Sequence, residues 1–93
     1  VNTQVQVGEK RRESRRQISG SVRVHFSNPM LIEIKGRLID ISSSGFRMVH
    51  AYASLATGQV VDFKHMEASG RARVMWNRIL EKSVETGFLV LNS

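Results

Sequence analysis

The sequence predicts an all-β fold, a small six-stranded antiparallel barrel behind a flexible basic N-terminal arm. Three observations predict it. Short apolar alternations recur between breaks of Gly, Pro, Asn and Ser, the rhythm of a sandwich or barrel rather than of a helical protein. No stretch carries the 3.6-residue apolar period far enough for a substantial amphipathic helix. Residues 1–20 are polar and basic, end in Ser19-Gly20, and offer little apolar surface for docking. With 93 residues, a single domain is expected, divided into an arm over 1–20 and a barrel over 21–93.

The strands follow in order. Val22, Val24 and Phe26 alternate with Arg23 and His25, a half-buried strand that Ser27-Asn28-Pro29 breaks. Ile32, Ile34 and Leu38 alternate with charged residues in a second, where Gly36 suggests a bulge or bend. The apolar parity switches at Ile39 and Ile41, which suits a bulge or a strand end. Asp40 to Gly45 reads as a polar turn, and Phe46, Met48 and His50 open a third strand. Residues 51–58 connect to a fourth over Val60 to Phe63. Ser69-Gly70 precedes a fifth, with Ala72, Val74 and Trp76 on one face. Residues 77–86 read as a charged loop, with room for a single helical turn, and Gly87 to Leu91 as the last strand. Closing six such strands removes exposed edges.

Fourteen Lys and Arg against eight acids give +6, which favours anionic partners such as phosphates, nucleic acid or an anionic membrane face. Half of that surplus lies in residues 9–16, where Lys10, Arg11, Arg12, Arg15 and Arg16 outnumber Glu9 and Glu13. There is no Cys, hence no disulfide framework. No apolar run approaches the ~20 residues of a transmembrane helix. No leader is visible, so the expected compartment is the cytoplasm, without membrane insertion by this segment. The chain starts at Val1, which fits a piece of a longer protein.

Two motifs carry chemistry. Arg11-Arg12-Glu13-Ser14-Arg15-Arg16, taken alone, reads first as a solvated arm. Its choice of Arg over Lys also suits bidentate recognition of phosphate or of the O6/N7 edge of guanine. Asp40-x-Ser42-x-x-Gly45 reads first as an ordinary turn. Its carboxylate also suits guanine N1–H and N2–H₂ or an arginine, and Gly45 leaves room for a flat base. Trp76 reads as a core residue by its spacing with Val74. Arg47 and Arg78 suit extra phosphate contacts or plain solvated arginines.

The ordered pair R-x-x-x-R and D/N-x-S-x-x-G resembles the PilZ domain, the bacterial cyclic di-GMP receptor module. Arg12 and Arg16, preceded by the basic Arg11, are the preferred register of the first motif; Arg11 and Arg15 form a second. Asp40, Ser42 and Gly45 match the second motif in full. Gly58 before an apolar strand, Val74-Met75-Trp76 and Gly87-Phe88 extend the likeness over most of the chain. The resemblance implies a PilZ-type barrel that acts as a sensor, not an enzyme. It implies cyclic di-GMP as ligand, held by Arg11, Arg12, Arg16, Asp40, Ser42, Gly45 and Trp76, with Trp76 stacking at the barrel's mouth. It further implies an arm that is mobile alone and wraps over one bound ligand or an intercalated pair. That rearrangement would signal to a downstream protein or attached domain. The family often packs a helix near one barrel end; the sequence stops at Ser93, soon after the last strand, and none is expected.

No cofactor is expected beyond that ligand. His25, His50 and His65 are too dispersed for a zinc site, and neither a nucleophile elbow nor a phosphate-binding loop occurs. Two other functions compete: a basic barrel for single-stranded nucleic acid, and a PilZ fold used only for protein–protein contact.

Overall fold

The computed structural model describes residues 15–27 and 30–91. Seven strands form one sheet: β1 (Arg16–Gln17), β2 (Ser21–Ser27), β3 (Leu31–Ile41), β4 (Gly45–His50), β5 (Val60–His65), β6 (Ser69–Ile79) and β7 (Val84–Leu91). The order is β1-β3-β2-β5-β6-β7-β4, and a further β3–β4 pairing closes six of the strands into an antiparallel barrel. The expected fold class is the observed one. The short β1 runs in line ahead of β2 along the same edge of β3, so the end of the basic arm joins the sheet, with Arg16 opposite Ile41 and Gln17 opposite Asp40.

Period-two alternation decides what fills the barrel. On β2, Val22, Val24 and Phe26 are buried between exposed Ser21 and Arg23. Phe46 on β4 is fully buried and stacks on Phe88 of β7, with ring centroids 4.7 Å apart, and meets Phe63 of β5 at 4.8 Å. Leu55, from the connection between β4 and β5, also packs into the core. Among the described residues there is no helix.

The alternation is interrupted at two bulges, and both shape the outer surface. One falls between Leu38 and Asp40 on β3, where the parity of the apolar residues switches. Gly36 is instead a point of close approach within regular pairing. A Cβ there would lie 2.5 Å from Met48 Cε and 3.1 Å from His50 Cβ. The second bulge falls between Val74 and Trp76 on β6.

The expected loop over residues 77–86 is mostly strand. Asn77, Arg78 and Ile79 pair with Thr86, Glu85 and Val84, and the chain reverses over residues 80–83, where Leu80 N–H donates to Ser83 O at 2.8 Å. Charged Arg78 and Glu85, together with polar Asn77 and Thr86, hid the alternation. Asn77 and Thr86 belong to an internal polar chain. Tyr52 N–H donates to His50 Nδ1 at 3.0 Å, which leaves the proton on Nε2. That proton faces Thr86 Oγ1 at 2.6 Å, whose hydroxyl donates to Asn77 Oδ1 at 2.6 Å. Asn77 Nδ2 in turn donates to Leu55 O at 2.7 Å. Burial lowers the pKa of His50 and favours its neutral ring.

Candidate ligand-binding site

The bulge on β3 turns Asp40 away from the Leu38 face. It stands opposite Gln17 of β1 on one side and Arg47 of β4 on the other. Strand parity then separates the two described arginines of the basic run, Arg15 and Arg16. Residues two apart share a face, so Arg15 lies on the side of Gln17 and Asp40, and Arg16 on the other.

Arg15 Nε and Nη2 donate to Asp40 Oδ1 at 3.2 and 3.1 Å, and Nη1 donates to Ser42 Oγ at 3.2 Å. Arg16 instead donates to Glu67 on the β5–β6 turn, at 2.6 Å from Nη2 to Oε1. That contact raises the pKa of Arg16 and lowers that of Glu67. Arg11 and Arg12 lie outside the described residues.

Asp40 is one of two buried carboxylates on this face; Glu85 of β7 is the other. Arg47 bridges them. Its Nε donates to both Asp40 oxygens at 3.0 Å, its Nη2 donates to Oδ2, and its Nη1 donates to Glu85 Oε2 at 3.0 Å. Arg78, opposite Glu85 on β6, donates to Oε1 at 2.6 Å. The hydrogen bonds from Arg47, and then those from Arg15, lower the pKa of Asp40 against the opposing effect of burial. Three guanidiniums thus cover two carboxylates. The arginine side chains stay 33–64% exposed while the acids beneath are 4–6% exposed. One positive charge is left over, on planar groups facing outward.

Ser42 and Gly45 close the β3–β4 turn, with Ser42 N–H donating to Gly45 O at 2.8 Å. Gly45 lies within β4, and a Cβ there would overlap the carbonyl oxygen of Phe88 on β7. Close strand approach therefore excludes a side chain at Gly45.

Trp76 is not a core residue. Met75 occupies the extra position of the β6 bulge, which sets Trp76 opposite Gly87 and turns it to the outer face, 37% exposed. The indole lies across the space that a Gly87 side chain would fill. With Arg15, Ser44, Arg47, Met75 and Gly87 it lines a recess of about 180 Å³. The structure thus brings Arg15, Asp40, Ser42, Gly45 and Trp76 to one outer face. Glu85 escaped sequence reasoning. Inward Val84, Thr86 and Phe88 leave it as the outward residue of a strand, which is the signal that would have found it.

A rim of guanidiniums beside an exposed indole, on the outer face of a small barrel, suits a ligand that is both anionic and flat. A match to a family model over residues 9–92 makes this specific: the chain belongs to the PilZ domain family, a family of binding domains for cyclic di-GMP. No curated protein matches the chain. Among the described residues no cluster of His, Asp and Glu is arranged to hold a metal, and no helix is long and apolar enough to cross a membrane.

Proposed function

We propose that this domain binds cyclic di-GMP on the Arg15–Asp40–Trp76 face and signals through the segment that carries the arginines. The observation that carries this reading is the position of Arg15, hydrogen-bonded to both Asp40 and Ser42 beside the Trp76 recess. It favours the Arg11/Arg15 register of the first motif over Arg12/Arg16, because strand parity sends Arg16 to Glu67.

Each group has a role that its chemistry suits. Arg15 and Arg47 offer forked donors to phosphate oxygens and to guanine O6/N7. Asp40 orients both arginines and accepts from guanine N1–H and N2–H₂ when one of them turns to the ligand. The Ser42 hydroxyl supports Arg15. Trp76 supplies a stacking face. The ligand's two phosphates outweigh the single uncompensated charge of the network, and further cations of the arm, Arg11 among them, complete the neutralisation. Ordering that cationic arm costs conformational entropy, which the new charge-assisted contacts offset. The change reaches whatever the arm adjoins, a downstream protein or an attached domain.

The aromatic side chains argue against a single-strand nucleic-acid barrel. Phe26, Phe46, Phe63 and Phe88 are buried and the half-buried Tyr52 packs against the core beside Phe26, which leaves Trp76 without a row of stacking partners. Titration calorimetry with cyclic di-GMP tests the proposal. Saturable binding is expected, with one or two ligands per chain; absence of binding at ligand concentrations well above the micromolar range would refute it.

A further inference from the structure

Strand register assembles a second group of cations away from this site. Arg23 of β2 stands directly opposite Lys35 of β3 and Lys64 of β5. All three are exposed on the outer face. With neighbouring strands about 4.8 Å apart, the row spans roughly 10 Å.

Like charges directly opposite one another weaken a sheet. The usual reason for lysines on strands, protection of an open edge, does not apply, because β2, β3 and β5 are each paired on both sides within the closed ring. Relief by acids is slight. Arg23 lies 3.7 Å from Glu33, both being exposed, and among the described residues no acid pairs with Lys35 or Lys64.

The row borders a recess of about 230 Å³ lined by Ser21, Arg23, Lys64, His65 and Met66. In the ring order β3-β2-β5-β6-β7-β4, β2 and β5 lie across the barrel from β7 and β4, which carry Glu85 and Arg47. The two faces are therefore separate.

We propose that this recess is a second anion site, which takes a phosphate group between Arg23 and Lys64. Ser21 supplies a hydroxyl donor, and Lys35 adds to the field. A guanidinium fork beside an ammonium suits phosphate more than a single carboxylate. The recess has no aromatic ring besides the His65 imidazole, which packs inward against Phe46 at 5.2 Å. Recognition is thus of a phosphate ester as such, on a soluble molecule or a lipid headgroup, and not of a base.

Inorganic pyrophosphate titrated into the whole chain, followed by amide NMR, tests the site. Shifts are expected at Ser21, Arg23, Lys64 and Met66. Arg23→Gln with Lys64→Gln removes two charged donors and should weaken binding by about tenfold or more. Arg71→Gln with Arg73→Gln removes the same charge from exposed positions on β6 and should change binding little. Vesicles containing phosphatidic acid, against phosphatidylcholine alone, separate the sources. Sedimentation with the acidic vesicles that the Arg23/Lys64 variant loses assigns a headgroup; intact NMR shifts without sedimentation assign a soluble ligand. The proposal is overturned if pyrophosphate shifts only amides near Ser42, Gly45 and Gly87, or none. It is equally overturned if the two double variants weaken binding alike, which would reduce the effect to net charge.

Discussion

Trp76 and Gly87 face each other across β6 and β7, and the indole occupies the place of the missing side chain: a Cβ on Gly87 would lie 2.6 Å from Trp76 Cζ2 and closer still to Cε2 and Nε1. The glycine is a seat for the ring. Gly87→Ala should push the indole outward and shift its emission to the red. Trp76 is the chain's one tryptophan, so the spectrum reports this contact alone. Trp76→Ala should weaken cyclic di-GMP binding by about 1–3 kcal/mol, the usual worth of a base stacked on an aromatic ring. Emission spectra and calorimetry check the two effects.

Adjacent arginines should behave differently. Arg15→Ala removes the group that touches Asp40 and Ser42, and should cost about 1.5–3 kcal/mol of ligand affinity. Arg16→Ala breaks an exposed pair with Glu67, a solvent-screened contact apart from the Asp40 cluster, and should leave ligand affinity little changed. Calorimetry on the two variants separates them; equal losses would contradict the Arg11/Arg15 register.

Gly45→Ala places a methyl group against the Phe88 carbonyl, backbone against backbone, where no side chain can swing away. Overpacking of this kind costs about 1–3 kcal/mol. The melting temperature should fall accordingly, whether or not ligand is present.

Acid should destabilise the fold through His50. Burial lowers its pKa from the ordinary 6.5, so the unfolded chain binds the proton more readily than the native one. The stability held by the neutral ring is complete above about pH 6.5 and is lost as pH falls through the folded pKa. Protonation would also set an N–H at Nδ1 against the Tyr52 N–H. Asp40, with its pKa lowered chiefly by Arg47, adds a further loss at more acidic pH. Thermal unfolding at pH 7.5, 6.0 and 5.0 should show a falling melting temperature, with a shallower fall below pH 6.5 in His50→Gln.

Much of this architecture is legible in the sequence. The alternation of Val22, Val24 and Phe26, and the parity switch at Ile39 and Ile41, translate directly into strand faces and a bulge. Asp40, Ser42 and Gly45 stand at one turn, as their spacing implied. What failed did so for local reasons. The spacing of Trp76 with Val74 points it inward, but the bulge at Met75 shifts parity by one, and no single side chain announces such an insertion. Residues 77–86 looked like a loop because their inward positions include Asn77 and Thr86, polar groups that His50 and Leu55 satisfy from distant parts of the chain. Which of Arg15 and Arg16 stands beside Asp40 depends on β1 pairing with β3, which two residues of strand do not reveal by pattern.

The central claim is that a guanine of cyclic di-GMP sits on the indole beside Arg15. Intermolecular nuclear Overhauser contacts in the saturated complex address it directly. Cross-peaks from guanine H8 or the adjoining ribose to the Trp76 ring protons are the expected result. Ligand contacts confined to other faces of the barrel, with Trp76 silent at saturation, would contradict it.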